Sequence, residues 1–216
     1  MDQLLKTRKN VVEKGIEIIA QNLTVGTWGN ISSRVPGENC IAITPTGMNY
    51  DTLVPEDIVV VDLIGNIVSG NRKPSIEVPL HLSIYKARED VQAIVHTHSA
   101  YATAMAVARK EILGAVEDLV QIVGGNVRVN EYALPGTEQL GINTVKALEG
   151  RNAVLLANHG MLGVGRDLDE ALKVCQVVEK SAQIVLLAQL MGGAVELSQG
   201  DIDGMRNFYL QVYGQR

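Results

Sequence analysis

The segment Ile94-Val-His96-Thr-His98-Ser offers the most chemistry in this sequence. Residues two apart on a β-strand point to one face, so His96 and His98 can present both imidazoles to a single ion. A third histidine stands in Leu155-Leu-Ala-Asn-His159-Gly, just past another short apolar run. Strand ends and the loops after them are where sites are commonly assembled. Three neutral imidazoles with an open fourth position form a catalytic zinc arrangement. An HxH pair alone is equally compatible with ordinary surface or core histidines, and the third histidine tips the reading toward a metal. Cupins also use HxH, but they need an all-β barrel and a nearby carboxylate, whereas Ser-Ala-Tyr-Ala-Thr follows His98 here. The fourth histidine, His81, lies four residues after Glu77 and so on the same helical face. It reads as a structural, partly buried histidine.

Three polar loops of small residues accompany the histidines: Gly26-Thr-Trp-Gly-Asn30, Thr44-Pro-Thr-Gly47 and Lys73-Pro-Ser-Ile-Glu77. Backbone N–H groups and short hydroxyls in such loops can make anion nests. Each alone is more often just a turn. Neither the P-loop nor the dinucleotide spacing occurs. Glu77 by itself reads as a first-turn acid that suits the helix dipole.

These residues need a frame. Apolar positions from Leu4 to Ile19 predict an amphipathic helix over 4–22. Runs at Cys40–Thr44 and Ile58–Ile64 predict strands, the second ending in a Gly65-Asn66 turn. Ser75 is a candidate N-cap for a helix over 77–87. Val91–His96 reads as a buried strand and Ala100–Ala108 as a small-residue helix. Val127–Val129 and Ala153–Ala157 read as strands, with a helix over 138–148 between them. Asp167-Leu-Asp-Glu170 matches a capping box opening the longest helix, to about Met191, and Ser198 caps a last helix toward Tyr209. Strands joined by short turns as well as helices favour a layered α/β/α fold with a central mixed sheet over a purely parallel one.

The chain's 216 residues suit one domain spanning 1–216. It is 46% hydrophobic but only 4% aromatic, so its core must be aliphatic. The net charge of -5 is spread without a basic stripe, which argues against nucleic acid as a partner. Cys40 and Cys175 are far apart and without a CxxC pattern, pointing to buried thiols in a reducing compartment. The first fifteen residues are too charged for a signal peptide, and the apolar stretch 184–191 is too short to span a bilayer. A cytoplasmic protein that stays off membranes is the expectation.

The runs GTWGN, ITPTG, KPSIE, HTH, VGGN and NHG, with Tyr213-Gly214 near the C-terminus, occur in an order and spacing that resemble the class II aldolase/adducin family over nearly the whole chain. The resemblance implies a zinc-dependent sugar-phosphate aldolase with that family's α/β/α fold. It implies one zinc per subunit on His96, His98 and His159, and a substrate phosphate held by Asn30, Thr46, Gly47 and Ser75. Glu77 would be the general base. Tyr213 would be an acid reaching over from the neighbouring subunit of a homotetramer.

Two positions depart from the family's fuculose-phosphate aldolases. Ile76 stands where those carry a second serine, and Asp118 stands near a position where they tend to carry tyrosine. An aspartate there is similar to the family's ribulose-phosphate epimerases, which makes Asp118 a further catalytic candidate. Those epimerases usually have Ser-Ser-Asp where this chain has Ser75-Ile-Glu77, so the glutamate favours aldolase chemistry. The expected reaction is cleavage of a ketose 1-phosphate, L-fuculose 1-phosphate or a related 5-deoxy sugar phosphate, to dihydroxyacetone phosphate and a short aldehyde. An epimerase, dehydratase, decarboxylase, non-catalytic adducin-like domain or zinc hydrolase are the alternatives. Cobalt or manganese could also occupy three imidazoles.

Overall fold

The computed structural model describes residues 3–213. In chain order it contains α1 (Gln3–Ala20), β1 (Asn30–Arg34), β2 (Cys40–Ile43), β3 (Val59–Asp62), β4 (Ile67–Ser69), α2 (Val78–Ala87), β5 (Ala93–Thr97) and α3 (Ala100–Val107). There follow α4 (Glu117–Val123), β6 (Arg128–Val129), α5 (Glu138–Leu148), β7 (Ala153–Leu156), β8 (Gly160–Gly165), α6 (Leu168–Gln189) and α7 (Gln199–Gln211). The eight strands form one sheet in the order β4-β3-β2-β1-β5-β8-β7-β6. Every pairing is antiparallel except β6 with β7, so the sheet is mixed as the sequence led us to expect.

Alternation along the strands divides the core in two. Ala42, Val60, Ala93, Val95 and Leu155 pack on one face of the sheet with residues of α1, α3 and α6. Their neighbours Ile41, Ile43, Val59, Val61, Ile94, Val154 and Leu156 pack on the other face against α2 and α5. A strand's period of two sends successive side chains to opposite faces. Helices on both faces therefore bury a sheet that is apolar on both sides, which is the layered α/β/α arrangement.

Helix starts follow local chemistry. Asp167 accepts the Glu170 N–H at the start of α6, and Ser198 accepts the Asp201 N–H at the start of α7. Ser75 does not cap α2. Glu77 occupies that position, its side chain makes no capping bond, and Ser75 Oγ instead accepts the Glu77 N–H at 3.2 Å. The structure also adds β1, β4, β8 and α4 to the elements read from sequence. Among the described residues no helix is long and apolar enough to cross a membrane.

Candidate active site

His96 is the penultimate residue of β5 and fully buried, His98 lies just past that strand, and His159 sits in the turn joining β7 to β8. Because β5 and β8 are neighbours, with His96 paired opposite Leu162, the three rings meet at one end of the sheet. His98 Nε2 lies 3.0 Å and His159 Nε2 3.3 Å from His96 Nε2. Three imidazole nitrogens at about 2.0–2.1 Å from a tetrahedral ion stand about 3.3 Å apart. The donor set therefore fits a metal ion, and among the described residues these three could hold one.

The tautomer agrees. His96 Nδ1 donates to the Met161 carbonyl at 2.8 Å, which leaves the Nε2 lone pair directed at the cluster. Burial, with a contribution from neighbouring His159, pushes the His96 imidazolium pKa down to about 3. Burial and the other two histidines hold His98 at about 3 as well. Burial also lowers His159, against the pull of the Glu77 carboxylate. The rings are thus kept neutral, the form that binds metal.

Two glycines make this approach possible. A Cβ on Gly29 would lie 2.5 Å from the His96 carbonyl oxygen, and one on Gly160 would lie 2.4 Å from that of Thr97. Gly29 also has φ +78°, so the GTWGN loop needs glycine there for its conformation as well as its closeness. That loop lays Trp28 over His98, with ring centroids 5.8 Å apart. On the far side, Glu179 of α6 accepts the Tyr101 and Ala102 N–H groups at the start of α3, anchoring the chain just beyond His98.

Glu77 comes to the cluster from α2. Its Oε2 is 3.3 Å from His96 Nε2, and its Oε1 is 3.7 Å from His159 Nε2. Oε2 accepts a hydrogen bond from Asn30 Nδ2 at 2.7 Å, whereas Oε1 is buried with no hydrogen-bond partner among the described residues. A carboxylate with one oxygen anchored and the other free beside three imidazoles can take or give a proton there.

A cleft of about 260 Å³ opens over this group, lined by Thr46, Gly47, Ser75, Glu77, His98 and His159, with Asn30 among its walls. The Thr46 and Ser75 N–H groups are spent on the carbonyls of Lys73 and Thr44, which ties the two loops together. Among the described residues the two hydroxyls and the Gly47 N–H have no acceptor, which leaves them as donors on residues that line the cleft. Asn30 has one amide hydrogen committed to Glu77 and its Oδ1 bonded to His81, leaving a single amide hydrogen for another acceptor.

Asp118 and Tyr213 are not part of this assembly within one chain. Asp118 is in the first turn of α4, ion-paired with Lys180. Tyr213 follows α7, exposed and stacked on Tyr209; Gly214, its partner in the sequence motif, lies outside the described residues. The sequence reading did not single out Trp28, Ser32, Tyr85 or Glu179. Only the four-residue step from Glu77 through His81 to Tyr85 would have pointed to any of them.

Residues 9–186 match the family described as "Class II Aldolase and Adducin N-terminal domain". The chain is 38% identical over 213 residues to a 5-deoxy-D-ribulose 1-phosphate aldolase from Bacillus thuringiensis serovar kurstaki, covering 99% of both. It is 33% identical over 182 residues to the L-fuculose phosphate aldolase of Escherichia coli K12, covering 84% of this chain and 83% of that one. Among solved structures, an L-fuculose 1-phosphate aldolase superposes with a TM-score of 0.92 at 38% identity, covering 95% of this chain and 96% of the other. With motifs, site geometry and fold all in agreement, the chain belongs to the class II aldolase and adducin family.

Proposed function

We propose that this protein is a zinc-dependent aldolase that reversibly cleaves a 5-deoxypentulose 1-phosphate to dihydroxyacetone phosphate and acetaldehyde. The observation that carries this reading is the free Glu77 Oε1 set beside three converging imidazole nitrogens at the foot of a donor-lined cleft. The choice of sugar is supported by the Bacillus relative, which is similar over its full length and named for 5-deoxyribulose 1-phosphate.

Zinc on His96, His98 and His159 would supply Lewis acidity to the substrate's carbonyl and hydroxyl oxygens. The hydroxyls of Thr46 and Ser75, the Gly47 N–H and the spare Asn30 amide hydrogen would hold the phosphate, fixing the ketose with C3 near Glu77. Cleavage breaks the C3–C4 bond, and the electron pair stays with C3. Glu77 Oε1 delivers a proton to that carbon, completing dihydroxyacetone phosphate. The C4 hydroxyl loses its proton as the aldehyde forms, so the proton count balances. Tyr213 of a neighbouring subunit is the group proposed to manage that second proton; its exposure on its own chain leaves it available to a neighbour. Exposed Leu187, Leu190, Met191 and Val195 support a subunit contact and a homotetramer. Two free cysteines support a cytoplasmic setting.

The test is to follow dihydroxyacetone phosphate and acetaldehyde release by zinc-loaded protein from 5-deoxyribulose 1-phosphate, with L-fuculose 1-phosphate and L-ribulose 5-phosphate beside it. Preferred cleavage of the first is expected. Preferred cleavage of fuculose 1-phosphate would move the aldehyde half to lactaldehyde. Conversion of ribulose 5-phosphate to its epimer without cleavage would overturn the reading and make Asp118 the residue to examine.

A further inference from the structure

The face of the sheet that α2 covers is apolar on β2, β3 and β7; β5 contributes Ile94 and the site histidine His96 to it, and β1 contributes Asn30 and Ser32, both buried. Opposite them, at steps of four from the N-cap of α2 into the helix, stand Glu77, His81 and Tyr85, also buried. A strand's step of two and a helix's step of four thus set five polar side chains in register. Tyr85 OH lies 2.9 Å from Ser32 Oγ, and Ser32 Oγ lies 2.6 Å from His81 Nδ1. His81 Nε2 lies 2.5 Å from Asn30 Oδ1, and Asn30 Nδ2 lies 2.7 Å from Glu77 Oε2.

The direction of this chain follows from its end. An ionised carboxylate only accepts, so Asn30 must turn its NH2 to Glu77 and its oxygen to His81. His81 must then carry its proton on Nε2 and accept at Nδ1 from the Ser32 hydroxyl. Ser32 in turn accepts from Tyr85. Complete burial, which drives the His81 pKa down to about 3, keeps the ring in this neutral form. Stability alone does not call for such a network. A matched set of apolar residues would bury as well and would carry no polar group to satisfy.

We propose that His81 is a positioning residue for the reaction: anchored by Ser32 and Tyr85, it fixes the Asn30 amide, which holds Glu77 Oε2 and leaves Oε1 as the oxygen that moves the proton. The inference rests on the reading of Glu77 as the acid–base group. It also separates two duties of Asn30, because the bond to Glu77 uses one amide hydrogen and leaves the other for the phosphate.

The test uses the zinc-loaded full chain and compares Glu77→Gln, His81→Phe, His81→Gln and Ser32→Ala. The readouts are kcat and KM for cleavage, solvent-deuterium exchange into dihydroxyacetone phosphate, and bound zinc. In His81→Phe, kcat and exchange should fall about 10–100-fold, the scale for groups that orient a working ligand, with KM changed far less and zinc retained. His81→Gln can place an amide N–H near the Nε2 position and should recover most of the loss. A merely structural His81 gives the opposite order, since phenylalanine fills the site and glutamine has no advantage. Wild-type kcat and exchange in His81→Phe, or no recovery in His81→Gln, would overturn the proposal. If His81→Phe does not fold, Ser32→Ala decides: it removes the donor at Nδ1 and should lower kcat several-fold at little change in KM, and wild-type kcat there overturns the proposal equally. Undiminished exchange in Glu77→Gln would instead sink the acid–base reading.

Discussion

Replacing Gly160 with alanine tests whether the close packing of β8 on β5 is what holds the three imidazoles together. A Cβ at that position would fall 2.4 Å from the Thr97 carbonyl oxygen, 3.2 Å from His98 Cδ2 and 3.3 Å from His96 Cε1. A comfortable carbon–oxygen contact is about 3.3–3.6 Å, so something must give by about an ångström. The Thr97 carbonyl belongs to a strand held between β1 and β8, and moving it moves both flanking histidines. Overpacking of this kind costs about 1–3 kcal/mol. Displaced ligands should weaken zinc binding by about 10–100-fold. Gly47→Ala is the control: its φ of +68° makes alanine unfavourable by about 1–2 kcal/mol, but nothing lies within 4 Å of the new methyl group. Urea unfolding of the metal-free proteins gives the stabilities, free of linkage to the ion, and competition with a chromophoric chelator gives zinc affinity. Both variants should be destabilised, and only Gly160→Ala should lose zinc affinity. Zinc bound by Gly160→Ala as tightly as by wild type would refute the reasoning.

Other consequences can be checked separately. Thr46→Val and Ser75→Ala each remove a hydroxyl from the cleft and should raise KM about tenfold or more, with zinc unchanged; an unchanged KM would remove them from the phosphate site. Tyr213→Phe should lower kcat by about 10²–10⁴-fold, and mixed assemblies of Tyr213→Phe and Glu77→Gln chains should recover activity, because some sites would then draw both groups from intact chains. No recovery would contradict a site shared between subunits. Metal-free protein should lose stability as the pH falls below about 6.5. The fold keeps His81, His96 and His98 neutral down to about 3, while the unfolded chain takes up protons in that window. The slope approaches about 1.4 kcal/mol per pH unit for each such histidine, and a stability independent of pH between about 5 and 6.5 would contradict it.

The sequence made the three-histidine cluster legible because HxH on a buried strand and a histidine at the end of another obey simple periodicities. Helices with a strong apolar face and a capping acid or hydroxyl, such as α5 and α6, were legible for the same reason. β1 was not, because Asn30-Ile-Ser32-Ser-Arg34 places polar residues on a buried face and so reverses the usual strand pattern. β8 was missed because Gly160-Met-Leu-Gly163-Val-Gly165 reads as loop. Its glycines leave room for α6, where a Cβ on Gly163 would meet the Ala171 carbonyl and Cys175 Sγ at 2.9 Å. Both exceptions lie at the site, where the local pattern serves a polar network or a close approach rather than propensity. His81 reads as structural in the sequence because a lone histidine on a helix gives no sign of what it bonds to; its partners Ser32 and Asn30 stand on a strand about fifty residues away. The likeness to the family supplied what spacing could not, including the residues proposed for the phosphate and the role proposed for Tyr213.

On the proposed reading, His96, His98 and His159 hold the metal while Glu77 moves the proton without being a ligand. Metal content and cleavage rate measured together in His96→Ala and Glu77→Gln test it most directly. His96→Ala should lose both metal and activity, and Glu77→Gln should keep its metal while turnover falls about 10²–10⁴-fold. Loss of the metal from Glu77→Gln, or full turnover with the metal in place, would contradict it.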